Sequence, residues 1–139
     1  MAREGGRPAE RAERELAMLT TDESLDELMK VIPGIEELRA FLAEEWAPES
    51  PPPTLVSSEL ARTLLRHADA MTDEEIRAVF ACVERVLTVG EEVAKDVVAT
   101  GFLEALVAAS DRESVEAARL FPFLGPRAAA YCEAWRAFS

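Results

Sequence analysis

The sequence predicts an all-α domain of six to seven short helices, in antiparallel hairpins and a HEAT-like or irregular helical array. Apolar residues recur at i, i+3, i+4 and i+7 along most of the chain, the period of one buried helix face. Thr, Ser or Asp precedes several of these stripes and Gly or Pro follows them, as helix starts and stops require. No segment alternates with period 2, so strands are not expected. The 24 alanines raise helix propensity throughout.

Residues 1–20 read as a flexible or weakly helical N-terminal segment. Gly5, Gly6 and Pro8 interrupt structure there, and Ala12, Leu16 and Leu19 form only a thin stripe. Residues 21–139 read as a single helical domain. Its first helix carries Leu25, Leu28, Met29 and Ile32 on one face, with Thr21 or Asp22 as cap and acids suited to the N-terminal dipole. Pro33-Gly34 ends or kinks it, and Ile35, Leu38, Phe41, Leu42 and Trp46 continue as a second stripe. Residues 47–53 hold four prolines in seven positions, a stiff linker between neighbouring helices.

A third helix is expected from Thr54 or Ser57, with Leu60, Leu64 and Leu65 inward and Ala68 alongside. Thr72 and Glu75 form a capping box that opens a fourth, carrying Ile76, Val79, Phe80, Val83, Val86 and Leu87 as far as Gly90. The fifth places Val93, Val97, Val98, Phe102, Leu103, Leu106 and Val107 inward. Gly101 inside it points to a close helix crossing or a bend. Ser110 and Glu113 match a second capping box, ahead of Val115, Ala118 and Leu120. Pro126 fits the first position of a last helix that turns Tyr131, Ala134, Trp135 and Phe138 to one face.

The 139 residues carry 15 basic and 27 acidic side chains, a formal net charge of -12. That balance argues against nucleic acid, whose affinity comes from Lys and Arg on phosphates, and against anionic lipid. No apolar run approaches the roughly 20 residues that cross a bilayer. The N-terminus lacks the apolar stretch of a signal peptide. Cys82 and Cys132 sit in helical patterns as buried, reduced thiols. A cytoplasmic location is therefore expected.

Chemistry is scarce. His67 is the only histidine, and Asp69 two positions on does not share its helical face, so an exposed or capping histidine is expected. No metal-ligand set, nucleophile with its base or phosphate-cradling glycine loop stands out. Asp73-Glu74-Glu75 is accounted for by the capping box. The expectation is a protein that is not an enzyme and needs no cofactor and no metal.

The acidity is localised. Residues 22–49 hold nine acids and two bases, and residues 71–104 hold eight and three, while the other segments balance. Glu37 and Glu44, seven apart, share a helical face with Glu36 and Glu45 beside them; Trp46 follows, either as the final core residue of its helix or as an aromatic anchor for a partner. Glu84, Glu91 and Glu92 carry the second block. Side by side, the two blocks would form a negative wall that steers a basic protein partner. The chain is then a monomer or homodimer that binds a protein, and a structural or regulatory helical adaptor is the alternative.

The run Val97-Val98-Ala99-Thr100-Gly101-Phe102-Leu103-Glu104-Ala105-Leu106, followed by Leu124-Gly125-Pro126-Arg127 and then Tyr131, Trp135 and Phe138, has a family likeness. It resembles an uncharacterised family of small all-helical bacterial proteins that look similar to immunity proteins of polymorphic toxin systems. The resemblance covers about Val31 to Phe138. It implies a binding role and no catalytic residues, and an immunity protein that neutralises a basic bacterial toxin is the expectation built on it.

Overall fold

The computed structural model describes residues 18–137. Residues 1–17, most of the segment expected to be flexible or weakly helical, lie outside the described residues, as does Phe138. Within them the chain is all-helical.

Helix α1 is Thr21–Val31. Its cap is Thr20, one residue before the expected position. The Thr20 hydroxyl accepts the Glu23 N–H at 3.1 Å, and the Glu23 carboxylate accepts the Thr20 N–H at 3.0 Å. Leu25, Leu28 and Ile32 are buried as the stripe requires. Gly34, at φ 80°, ends the kink-or-stop ambiguity at Pro33: the chain turns there, and α2, Ile35–Trp46, is a separate helix.

Helix α3, Pro53–His67, begins inside the proline run. Pro53 occupies a first-turn position whose N–H would have no intrahelical partner, so the expected linker loses its last residue to the helix. The Ala47–Pro48 peptide is cis. The Thr72/Glu75 capping box opens α4, Asp73–Val89, as the sequence predicts.

Helix α5 spans residues 92–111 in three parts: α-helical Glu92–Val97, a π-helical turn Val98–Leu103, and α-helical Glu104–Asp111. Gly101 sits in the wide turn, at the crossing with α3. A Cβ there would fall 2.6 Å from the Thr54 carbonyl oxygen and 2.7 Å from Ser57 Cβ, so only glycine fits. The second expected capping box does not form. The helix runs through Ser110 and Asp111, Glu113 adopts φ 59°, and Ser114 caps α6, Val115–Leu120, by accepting the Ala117 N–H. A short 3-10 turn, Phe121–Phe123, leads to α7, Pro126–Ala137.

Helix α3 runs through the centre. It packs against α1, α2 and α5, while α1 also packs against α4 and α5, and α7 covers α4 and α5. Leu28, Leu60, Leu64, Ile76, Val83, Phe102 and Leu106 are fully buried where these helices meet. Phe80 and Phe102 meet edge to face with centroids 6.3 Å apart. Leu19 ties the N-terminal side to the α4–α5 junction: its N–H donates to Val89 O at 3.0 Å, and its carbonyl accepts the Glu91 N–H at 2.8 Å.

Three inward faces differ from expectation. Val93 and Val115 are exposed, each within the first two residues of its helix, where no neighbouring element covers it. In α6 the buried residues are Ala117 and Leu120, and Ala118 is exposed. In α7 the inward pair is Ala128 and Cys132, four apart; these small side chains let the helix lie close to α4 and α5. Tyr131 is half-buried at the edge of that contact, and Ala134 and Trp135 face outward.

Candidate functional site

Helix α2 is largely open to solvent. Only Leu38 and Leu42 are buried on it, and its neighbour is α3. That leaves most of its circumference to solvent. Glu36, Glu37, Glu44 and Glu45 are all exposed, and none of the four forms an ion pair among the described residues. With Glu44 seven and Glu45 eight positions after Glu37, the three share one side of the helix.

The aromatic on that side is Phe41, not Trp46. Trp46 is half-buried and packs against the core. Phe41 is 52% exposed, although its position in the stripe predicts a core residue. It stands four residues after Glu37 and four before Glu45, so it lies in their row. That spacing was the available sequence signal, since a buried aromatic is seldom flanked at both i−4 and i+4 by carboxylates. Beside Phe41 lies a shallow groove of about 310 Å³ lined by Glu37, Leu38, Glu59 and Arg66. Glu59 is engaged by Arg62 at 2.9 Å, and Arg66 donates to the Thr63 hydroxyl at 3.1 Å.

The second acidic block is divided differently. Glu84 is committed within the fold: its carboxylate accepts the backbone N–H groups of Arg127 and Ala128 at the start of α7. It is a helix cap supplied from another helix, and this removes it from the set of free binding carboxylates. Glu91 and Glu92 are exposed at the start of α5, with Lys95 3.8 Å from Glu92. They adjoin α1, because the Leu19–Gly90 bridge draws these two helix starts together. The first block is split as well. On α1, Glu27 pairs with Arg85 of α4, while the α2 carboxylates lie on the helix that packs against α3. The eight candidate residues therefore form an α2 group, an α5 group and one internal cap.

The remaining reactive side chains are enclosed. Burial pushes both thiols up to about 11, with Glu27 adding to the effect at Cys82. Each is protonated at neutral pH and a poor nucleophile. His67 ends α3 half-buried, its Nδ1 donating to the Thr63 carbonyl at 3.0 Å and its ring against Gly34. Tyr131 donates to the Glu104 carboxylate at 2.9 Å, and burial together with that carboxylate pushes its hydroxyl up to about 12. Among the described residues no group of three or more His, Cys, Asp or Glu is placed to hold a metal ion. No described helix is long and apolar enough to cross a membrane.

No curated protein and no solved structure matches the chain. Residues 25–138, from the first inward leucine of α1 to beyond the end of α7, match the family described as a domain of unknown function (DUF7674), and the chain belongs to that family.

Proposed function

We propose that this chain is a non-enzymatic protein-binding domain, a HEAT-like stack of helical hairpins that docks a basic protein through the outer face of α2. An immunity protein neutralising a basic bacterial toxin is the form of that role we favour. The observation that carries the reading is Phe41, half exposed in a row with Glu37 and Glu45, whose carboxylates form no ion pair among the described residues. An exposed aromatic flanked along its helix by unpaired carboxylates has the composition of an interface centre with a steering rim. The carboxylates would raise the association rate with a Lys- or Arg-rich surface, and Phe41 would supply the desolvated contact.

The same face disfavours a homodimer built on α2, because a two-fold contact would set Glu37, Glu44 and Glu45 against their own copies. The test is co-expression with the product of the adjacent gene, followed by sizing chromatography of the mixture. The expected result is protection and a complex that Glu37→Lys with Glu44→Lys abolishes and Phe41→Ala weakens, while Glu133→Lys on α7 leaves it intact. Absence of both complex and protection would overturn the immunity role. Equal loss with Glu133→Lys would overturn the α2 face.

A further inference from the structure

Two adjoining depressions, of about 360 Å³ and about 350 Å³, lie where α1, α2 and the proline-rich segment meet, and share Met29, Pro51 and Val56 as walls. Their apolar lining continues to Leu25 on α1 and Leu42 on α2. Asp22, Asp26 and Glu49 line them as well, against one cation, Arg39, among the described residues. The channel is thus apolar within and acidic around it.

Its two rows are in register. Asp22 and Asp26 are four apart, and so are Leu25 and Met29, so a carboxylate row and an apolar row run side by side along α1. Both aspartates are exposed and neither forms an ion pair among the described residues. The α1 dipole favours Asp22 in the first turn, but it does not account for Asp26 in the second turn or for Glu49 across the channel.

We infer that this channel docks a basic amphipathic helix of a partner protein. The guest's apolar stripe lies over half-buried Met29, with the edges of the buried Leu25 and Val56 as the floor, and its Lys or Arg side chains, four apart, face Asp22 and Asp26. A second copy of this chain is a poor occupant, because a molecule of net charge -12 would bring acids to an acidic rim. The inference rests on the reading of the domain as a binder of basic proteins, and it names a surface separate from the outer face of α2.

The probe is a synthetic helical peptide of about four turns, with Leu at i, i+3, i+4 and i+7 and Lys at the flanking positions. It is titrated into the full chain, labelled with nitrogen-15, with affinity read by fluorescence anisotropy. A scrambled peptide of the same composition is the control. Expected are amide shifts over 22–29 and 49–56 and affinity that falls with salt. Binding weakens by about tenfold with the scrambled peptide, and similarly with Asp22→Asn plus Asp26→Asn or with Met29→Gln. Circular dichroism confirms that each variant is folded. Absence of binding, or equal affinity for the scrambled peptide, overturns the channel. Shifts confined to the surroundings of Glu37 and Phe41 overturn the channel but leave the α2 reading standing. Shifts over 22–29 that appear on concentrating the chain alone assign the channel to self-association and overturn the proposed guest.

Discussion

Glu84 of α4 and Arg127 of α7, 43 positions apart, are joined at the start of α7: the Glu84 carboxylate accepts the Arg127 backbone N–H at 2.8 Å. Its other oxygen accepts the Ala128 N–H at 3.2 Å. A helix that starts on Pro126 has first-turn donors to satisfy, and one long-range carboxylate satisfies two of them while facing the positive end of the dipole. Glu84→Ala is expected to destabilise the fold by about 1–2 kcal/mol in urea unfolding, as loss of a strong helix cap does. Glu84→Gln, which keeps one acceptor, should fall between. The Arg127 and Ala128 amides should exchange faster in both variants. A wild-type exchange rate at those amides in Glu84→Ala would refute the capping role.

The crossing of α3 and α5 has no spare room at Gly101. Alanine there would bring its Cβ within 2.6 Å of the Thr54 carbonyl, a backbone atom that cannot step aside. Gly101→Ala is expected to cost about 1–3 kcal/mol through overpacking, despite the better helix propensity of alanine. Across the same crossing the Ser57 hydroxyl is buried with no hydrogen-bond partner among the described residues. Ser57→Ala keeps the shape and removes that desolvated group, so it should raise stability by up to about 1 kcal/mol. Thermal melts of the two variants should move in opposite directions.

How far the sequence was legible follows from the range of each interaction. The Thr72/Glu75 box and the Pro126 start are local signals, and both hold. The Ser110/Glu113 pattern is equally good locally and fails, because α5 runs on to Asp111 and Ser114 takes the cap. Period identified the helices but not their outer limits: Phe41, Val93 and Val115 fit apolar stripes yet stand where no neighbour covers them. Charge by segment located the free carboxylates of α2. It could not separate Glu84, whose partners lie 43 and 44 positions away. The division of the first acidic block is likewise a matter of which helices pack, and sequence period is silent on that.

Gly34 and His67 form a second close approach, at the α1–α2 turn. Gly34 has φ 80°, and an added Cβ would lie 2.5 Å from His67 Cε1. Gly34→Ala therefore carries two penalties, the left-handed backbone at about 1 kcal/mol and the clash with the ring. His67→Ala in the same chain should relieve the clash and leave the backbone cost. A double-mutant cycle by urea unfolding should then give a coupling of about 0.5–3 kcal/mol. Additive effects would mean that the ring swings clear unaided.

The buried thiols and half-buried Tyr131 make the stability of the fold fall at alkaline pH. Each thiol titrates at about 11 in the folded chain against 9.0 when unperturbed, and Tyr131 at about 12 against 10.0. The folded state thus holds protons that the unfolded chain releases, so stability falls with rising pH wherever the two differ. The stabilisation from the thiols is complete below about pH 9 and is lost as pH rises through about 11. The contribution of Tyr131 follows between about 10 and 12. Urea midpoints should accordingly be flat with respect to these groups near neutrality and decline above about pH 9. Cys132→Ala should flatten the first part of that decline. Below it, an aromatic disulfide reagent should leave Cys82 and Cys132 unmodified until denaturant is added. The single tyrosine gives a direct optical readout, since all tyrosinate absorbance comes from Tyr131. Glu104→Gln removes the carboxylate that accepts the hydroxyl proton, so the tyrosinate midpoint should move down toward 10. A midpoint unchanged by that substitution would show that burial alone holds the proton on Tyr131.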